Sequence, residues 1–151
     1  MQTVKCNWSQ EPDVLSGITW ERLWRIKLED LLMKYEWLDE YCLMKRAAKK
    51  DFKLEWNATR YLIGEKMFAL QGGDKENKAI ITLKCEPLYG KYLREEHKDI
   101  IAGYYMNKEH WNSVYLDGDV PDDILKNMID MSYDLVLKGL SKKTQKEVMG
   151  E

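Results

Sequence analysis

The chain lacks the charge imbalance of a dedicated nucleic-acid binder. Lys and Arg number 24 against 26 Asp and Glu, for a net charge of -2. No third of the chain has a cationic excess: the two signs balance 10 to 10 over residues 1–56, 9 to 9 over 57–118, and 5 to 7 beyond. DNA contact must therefore come from a local patch on a neutral body, and is expected to be weak and salt-sensitive. Cysteine is scarce and odd in number: Cys6, Cys42 and Cys85, with no C-x-x-C spacing. That argues against a disulfide framework or a structural zinc site and fits thiols in a reducing cytoplasm. There are only two histidines, His97 and His110, and neither has a partner at metal-ligand spacing. No Walker loop, nucleophile elbow or dinucleotide fingerprint occurs, and Gly72-Gly73 lacks phosphate-loop spacing. We expect no catalytic residues, no metal and no cofactor, hence a protein that is not an enzyme. No apolar run approaches the ~18 residues of a membrane span, and residues 1–17 contain no apolar stretch of the signal-peptide kind. A cytoplasmic location without membrane contact is expected.

What is present is foldable. Hydrophobic residues make up 44% of 151, enough for one core. Trp24, Leu28, Leu31, Tyr35, Leu38 and Cys42 step by four and three, which predicts one core-facing helix from Trp20 to about Ala48. Off that stripe, Ile26, Met33, Trp37, Tyr41, Leu43 and Met44 widen the apolar surface, which suits self-association or a protein partner. Five cations follow: Lys45, Arg46, Lys49, Lys50 and Lys53. They fit a helix C-terminus, where the dipole favours positive charge, or a phosphate contact.

Two β-like runs, 58–63 and 66–71, flank Gly64-Glu65, which predicts a type II′ hairpin. Residues 79–85, 100–106 and 113–116 also read as extended, and 87–98 as helical. A last helix begins at Pro121-Asp122-Asp123 and ends near Gly139, with a frayed polar tail over 141–151. These elements predict an α+β fold: an antiparallel sheet of about five strands with helices packed on one face.

The run Gly103-Tyr104-Tyr105-Met106-Asn107-Lys108-Glu109-His110-Trp111-Asn112-Ser113-Val114-Tyr115-Leu116-Asp117-Gly118 resembles the hallmark of the MmcQ/YjbR family. Gly64 to Leu70 resembles that family's central hairpin, and Leu83 to Pro87 its strand-to-helix junction. The resemblance divides the chain into an N-terminal extension over 1–36, a domain over 37–140 and a C-terminal tail over 141–151. It implies a CyaY-like architecture and a DNA-binding role through a double-wing motif of hairpins. Frataxin-like iron handling is not implied, because no matching acidic motif is recognisable. The family's Pro-Gly after the first helix is replaced here by Lys45-Arg46-Ala47-Ala48.

The hallmark run has two readings. In one it is structural: Tyr104, Met106, Val114 and Leu116 alternate into the core, Trp111 closes it, and Asn107 and Asn112 satisfy turn backbone. In the other, Asn107, Lys108, His110 and Asn112 lie exposed around Trp111 as a recognition surface, with Lys66 and Arg60 extending it. With the basic Lys45, Arg46, Lys49 and Lys50, these form the candidate nucleic-acid or ligand contacts. Three functions remain open: a non-enzymatic binding domain for DNA, a protein-interaction or regulatory module docking through the aromatic first helix, and a small-molecule binder.

Overall fold

The computed structural model describes residues 19–150. The expected 1–17 tail, Cys6, and the side chains of Trp24, Leu28 and Leu31 lie outside what is described. Helices α1 (Trp20–Lys34) and α2 (Glu36–Leu43) come first. Strand β1 (Lys49–Lys53) and a short 3-10 turn (Leu54–Trp56) lead into β2 (Ala58–Ile63), β3 (Lys66–Gly73) and β4 (Ala79–Lys84). Helix α3 (Pro87–Glu96), strands β5 (Ile100–Ala102) and β6 (Trp111–Tyr115), and helices α4 (Asp122–Gly139) and α5 (Lys142–Met149) complete the order. The fold is α+β, and all strand pairs are antiparallel in the order β1-β2-β3-β4-β6-β5.

The sheet has six strands rather than five, and the extra one is instructive. The expected helix over 20–48 breaks at Tyr35, which turns inward and is buried, and it ends at Leu43. Of the cations assigned to that helix end, Lys45 and Arg46 lie in the turn after α2, while Lys49, Lys50 and Lys53 fall in β1, the sheet edge, around Asp51 and Phe52. Lysines on an edge strand keep other chains from pairing with it, so this stretch has a structural use that its composition does not advertise. The hairpin turn also differs from expectation. Both Gly64 and Glu65 have positive φ, +53° and +67°, the I′ rather than the II′ pattern, which matches the twist of the flanking strands. Within the expected 141–151 tail, residues 141–150 are ordered around a helix. Ser141 caps α5 by accepting from the Thr144 amide, and Val148 packs against the core.

Register sorts side chains between the two faces. One row across the sheet is Lys50, Tyr61, Ala69, Leu83, Asn112 and Ala102, on the face that α2, α3 and α4 cover. The adjacent row points the other way: Asp51, Arg60, Leu70, Thr82, Ser113 and Ile101. The core fills the covered face, where the Phe68 ring meets Tyr133 edge-on at 5.4 Å between centroids.

A bulge between Tyr61 and Leu62 takes Phe68 out of the β2–β3 ladder. Its carbonyl is met instead by the buried Ser132 hydroxyl on α4, which donates at 2.5 Å while accepting from the Lys84 amide at 2.8 Å. Ser132→Ala therefore strands a backbone acceptor and a backbone donor. It is expected to destabilise by about 2 kcal/mol, read as a lower urea midpoint with unchanged m-value. A midpoint within error of the parent contradicts this account.

Candidate functional site

The open face of the sheet, opposite the main helices, carries a cleft of about 550 Å³. Leu70, Gly72, Ile80 and Thr82 of β3 and β4 line it as a floor. One wall is the turn Glu55-Trp56-Asn57 between β1 and β2, and the other is Tyr104-Tyr105-Met106, from the β5–β6 connection. Asp74 and Asn77, in the β3–β4 loop, line it as well.

Each wall is held by specific bonds. Gly103 lies against Trp111, donating to its carbonyl at 2.6 Å, and the chain then folds back over the sheet. The Tyr104 amide donates to Ser113 Oγ at 3.0 Å, and Ser113 Oγ also bonds Thr82 Oγ1 at 2.7 Å. The Tyr104 hydroxyl accepts from the Lys75 amide at 3.1 Å, tying this wall to the β3–β4 loop. Asp74 organises that loop: one oxygen takes the Glu76 and Lys78 amides, and the other takes the Tyr115 hydroxyl. Burial first, and then the Asp74 carboxylate, push the Tyr115 phenol up to about 12, so it remains a donor. On the opposite wall Trp56 lies under the Arg60 guanidinium, which is itself bound at two points by Asp51.

Three lining residues, Asn57, Asn77 and Tyr105, have left-handed backbone, with φ of 48°, 59° and 64°. Asparagine tolerates this region and tyrosine does not. Its neighbour Tyr104 is anchored through its amide to Ser113 and meets the Tyr105 ring edge-on, and Tyr105 is 73% exposed. Backbone strain of this kind concentrates at functional loops.

The sequence-predicted residues are dispersed. Asn107 caps its own turn by accepting the Glu109 and His110 amides, the structural role anticipated for it. Lys108 and His110 are exposed beside it, and Trp111 is half-buried at the head of β6. Asn112 is fully buried, which corrects its placement on an exposed surface. Register turns it toward α3, where Arg94 donates to its Oδ1 at 2.5 Å and Gly90 leaves it room. Tyr104 and Met106 also depart from expectation by lining the cleft on the open face, whereas Val114 and Leu116 do enter the core. Lys66 is exposed beside the hairpin turn, and Arg46 is exposed while its carbonyl accepts the Tyr133 hydroxyl.

Most of the predicted cations are matched by acids: Lys45 by Asp130, Lys49 by Glu65 at 4.0 Å, Lys50 by Asp39 and Arg60 by Asp51. Only Arg60 borders the cleft. Sequence reasoning missed Trp56, Asn57 and Tyr105 as a group. The one available signal was a pair of large apolar residues, Leu54 and Trp56, directly before an asparagine and between two strands.

Two of these carboxylates predict an acid response. The Lys50 ammonium, helped by the Tyr61 hydroxyl, holds Asp39 below the usual carboxylate range, and the Arg60 guanidinium does the same to Asp51. Groups depressed in the folded state stabilise above their unfolded values, and that stability is lost as pH falls through the folded ones. Urea midpoints measured from about pH 6 to about pH 2 are expected to fall less steeply for Asp39→Asn with Asp51→Asn than for the parent. Parallel curves contradict this.

The architecture defines a small α+β domain with a six-stranded antiparallel sheet, helices on one face and a cleft on the other. The YjbR family model matches residues 43–135. The chain is 32% identical over 107 residues to the uncharacterized protein YjbR of Escherichia coli K12, covering 71% of this chain and 90% of that one. It is 35% identical over 88 residues to YbdF of Escherichia coli O157:H7, covering 58% and 71% of the two chains. Among solved structures, Deinococcus radiodurans DR2400 superposes with a TM-score of 0.65 at 31% identity, over 74% of this chain and 84% of that one. A Pseudomonas syringae protein superposes with a TM-score of 0.56 at 27% identity, over 64% and 92%. The chain belongs to the YjbR family.

Proposed function

We propose that this chain is a non-enzymatic binding domain whose ligand enters the cleft on the open sheet face. The observation that carries this is a pair of exposed aromatic rings, Trp56 and Tyr105, set in opposite walls of one cavity. The volume, about 550 Å³, lies within the range of small-molecule sites. The lining supports binding over turnover. Both Asp74 oxygens are occupied, one by loop amides and the other by the Tyr115 hydroxyl of β6, and the other ionisable lining groups are Glu55 and two tyrosines, with no base and orienting partner arranged around a reacting atom among the described residues.

Duplex DNA contact through the basic 45–53 segment has weaker support. Lys45, Lys49 and Lys50 are matched by carboxylates, which duplex phosphates must displace. A docking role for the N-terminal helical segment rests on Met33 of α1 and Met44 just past α2, which are 75% and 67% exposed. Trp37 contributes little to it, being packed on the core beneath Lys126.

The test is a two-dimensional NMR map of the full chain against a mixture of small aromatic and heteroaromatic fragments. Shifts are expected at the Trp56 indole and at the Gly72, Gly73 and Tyr105 amides. An unperturbed cleft, with duplex DNA shifting Lys45 to Lys53, overturns the proposal.

A further inference from the structure

We infer that the cleft takes a nucleobase-type ring, planar and heteroaromatic with an amide-like edge, carried by a free nucleoside or nucleotide or by an unpaired base of a single strand. This rests on the binding reading above and specifies its ligand.

The walls supply the first argument. An aromatic ring that projects into water gains nothing from burial. Trp56 stays 57% exposed in a turn closed by the Asn57 amide on the Leu54 carbonyl, and Tyr105 73% exposed beside Tyr104, whose amide is held by Ser113. Exposed, positioned π-faces are what a stacked base requires. The floor supplies the second argument. Leu70 and Ile80 are apolar, and Gly72 keeps it low: a Cβ there would lie 3.1 Å from Ala58 Cβ.

The rim narrows the class further. Asn57 and Asn77 line the cleft, are exposed, and have no side-chain hydrogen bond among the described residues. A carboxamide offers a donor and an acceptor side by side, the complement of a base edge. An alkyl chain entering this cleft leaves both amides unmatched, as does a plain benzene ring.

The charge pattern decides what carries the affinity. Arg60, the cation beside Trp56, is bound by Asp51, and Glu55 contributes a carboxylate to the lining. Among the described residues, no cation lines the cleft to receive a phosphate. Stacking and edge contacts therefore dominate. Nucleosides bind at least as well as their monophosphates, and single-strand binding has a shallow salt dependence, unlike the steep slope of phosphate-driven contacts.

The experiment titrates the full chain with adenosine, uridine, their monophosphates and a short mixed-sequence single strand. Phenol and indole serve as rings without a base edge, and the Trp56 indole and Gly72 amide report by NMR. Nucleosides are expected to shift both signals and to bind more tightly than phenol or indole. Trp56→Ala weakens them roughly 5- to 150-fold, the range for losing one stacking partner. Asn57→Gly, which suits the left-handed backbone there, weakens nucleosides several-fold and leaves phenol unchanged. A response to the strand alone, lost in Trp56→Ala, also supports the inference, with a strand as the source of the base. Phenol or indole binding as tightly as nucleosides, with Asn57→Gly without effect, overturns the nucleobase assignment and leaves the binding reading standing. Steep loss of strand binding with salt also overturns it. No shift in the cleft from any compound overturns both.

Discussion

Phe68→Ala is expected to lower stability by about 3–5 kcal/mol. Phe68 is fully buried, and its ring lies between Tyr61 at 6.4 Å and Tyr133 at 5.4 Å. It also occupies the bulge of β3, so its side chain joins the sheet to α4 where the ladder is interrupted. Removing the ring leaves a cavity walled by two tyrosines whose hydroxyls are committed elsewhere: Tyr61 to Asp39 and Tyr133 to the Arg46 carbonyl. Those anchors resist collapse into the void, which places the cost toward the upper end. For a domain stable by about 5–15 kcal/mol, the variant approaches the unfolding threshold. Phe68→Leu, which retains most of the volume, is expected to cost about 1.5 kcal/mol or less. Chemical denaturation of both variants checks the pair. Equal losses would contradict a packing origin.

Gly103→Ala is the second large effect, about 3 kcal/mol, because the obstruction includes backbone. An added Cβ would lie 2.7 Å from Trp111 Cβ and 2.8 Å from the Trp111 carbonyl oxygen. Trp111 is held by its pairing with Lys84, and the Gly103 amide already bonds that same oxygen. The strain must therefore move the 103–106 segment, which is one wall of the cleft. Loss of stability should come with altered Tyr104 and Tyr105 signals in NMR, while the Trp56 wall stays in place. Full stability, or disturbance confined to β1 and β2, would contradict this. Gly139 provides a control, since a Cβ there meets nothing within 4 Å.

These glycines show how much of the molecule was legible in the sequence. The α+β class, the β2–β3 hairpin, the α3 start at Pro87 and the α4 face follow from periodicity and turn chemistry, which are local. The break at Tyr35 and strand β1 are not local. Lys49 to Lys53 pairs only because β2 presents an edge, and nothing in five residues rich in lysine announces a strand. The hallmark run carried the family resemblance, but its parts divide in space. Asn107 builds a turn and Asn112 is buried under α3, while Tyr104 to Met106 cover the open face. Alternation alone cannot foresee a chain that folds back across its own sheet. Trp56, which sits across the cleft from Tyr105, is 49 positions away in sequence, and only the order of strands brings the two walls together.

The measurement that bears most directly on the cleft as the binding surface is a polarisation titration of a labelled single strand against two variants. One is Trp56→Ala, and the other is Lys49→Gln combined with Lys50→Gln. The account predicts that Trp56→Ala loses most of the affinity and that the double lysine variant stays close to the parent. The reverse, with affinity lost on lysine removal and kept without Trp56, would place binding on the basic edge strand and contradict the account.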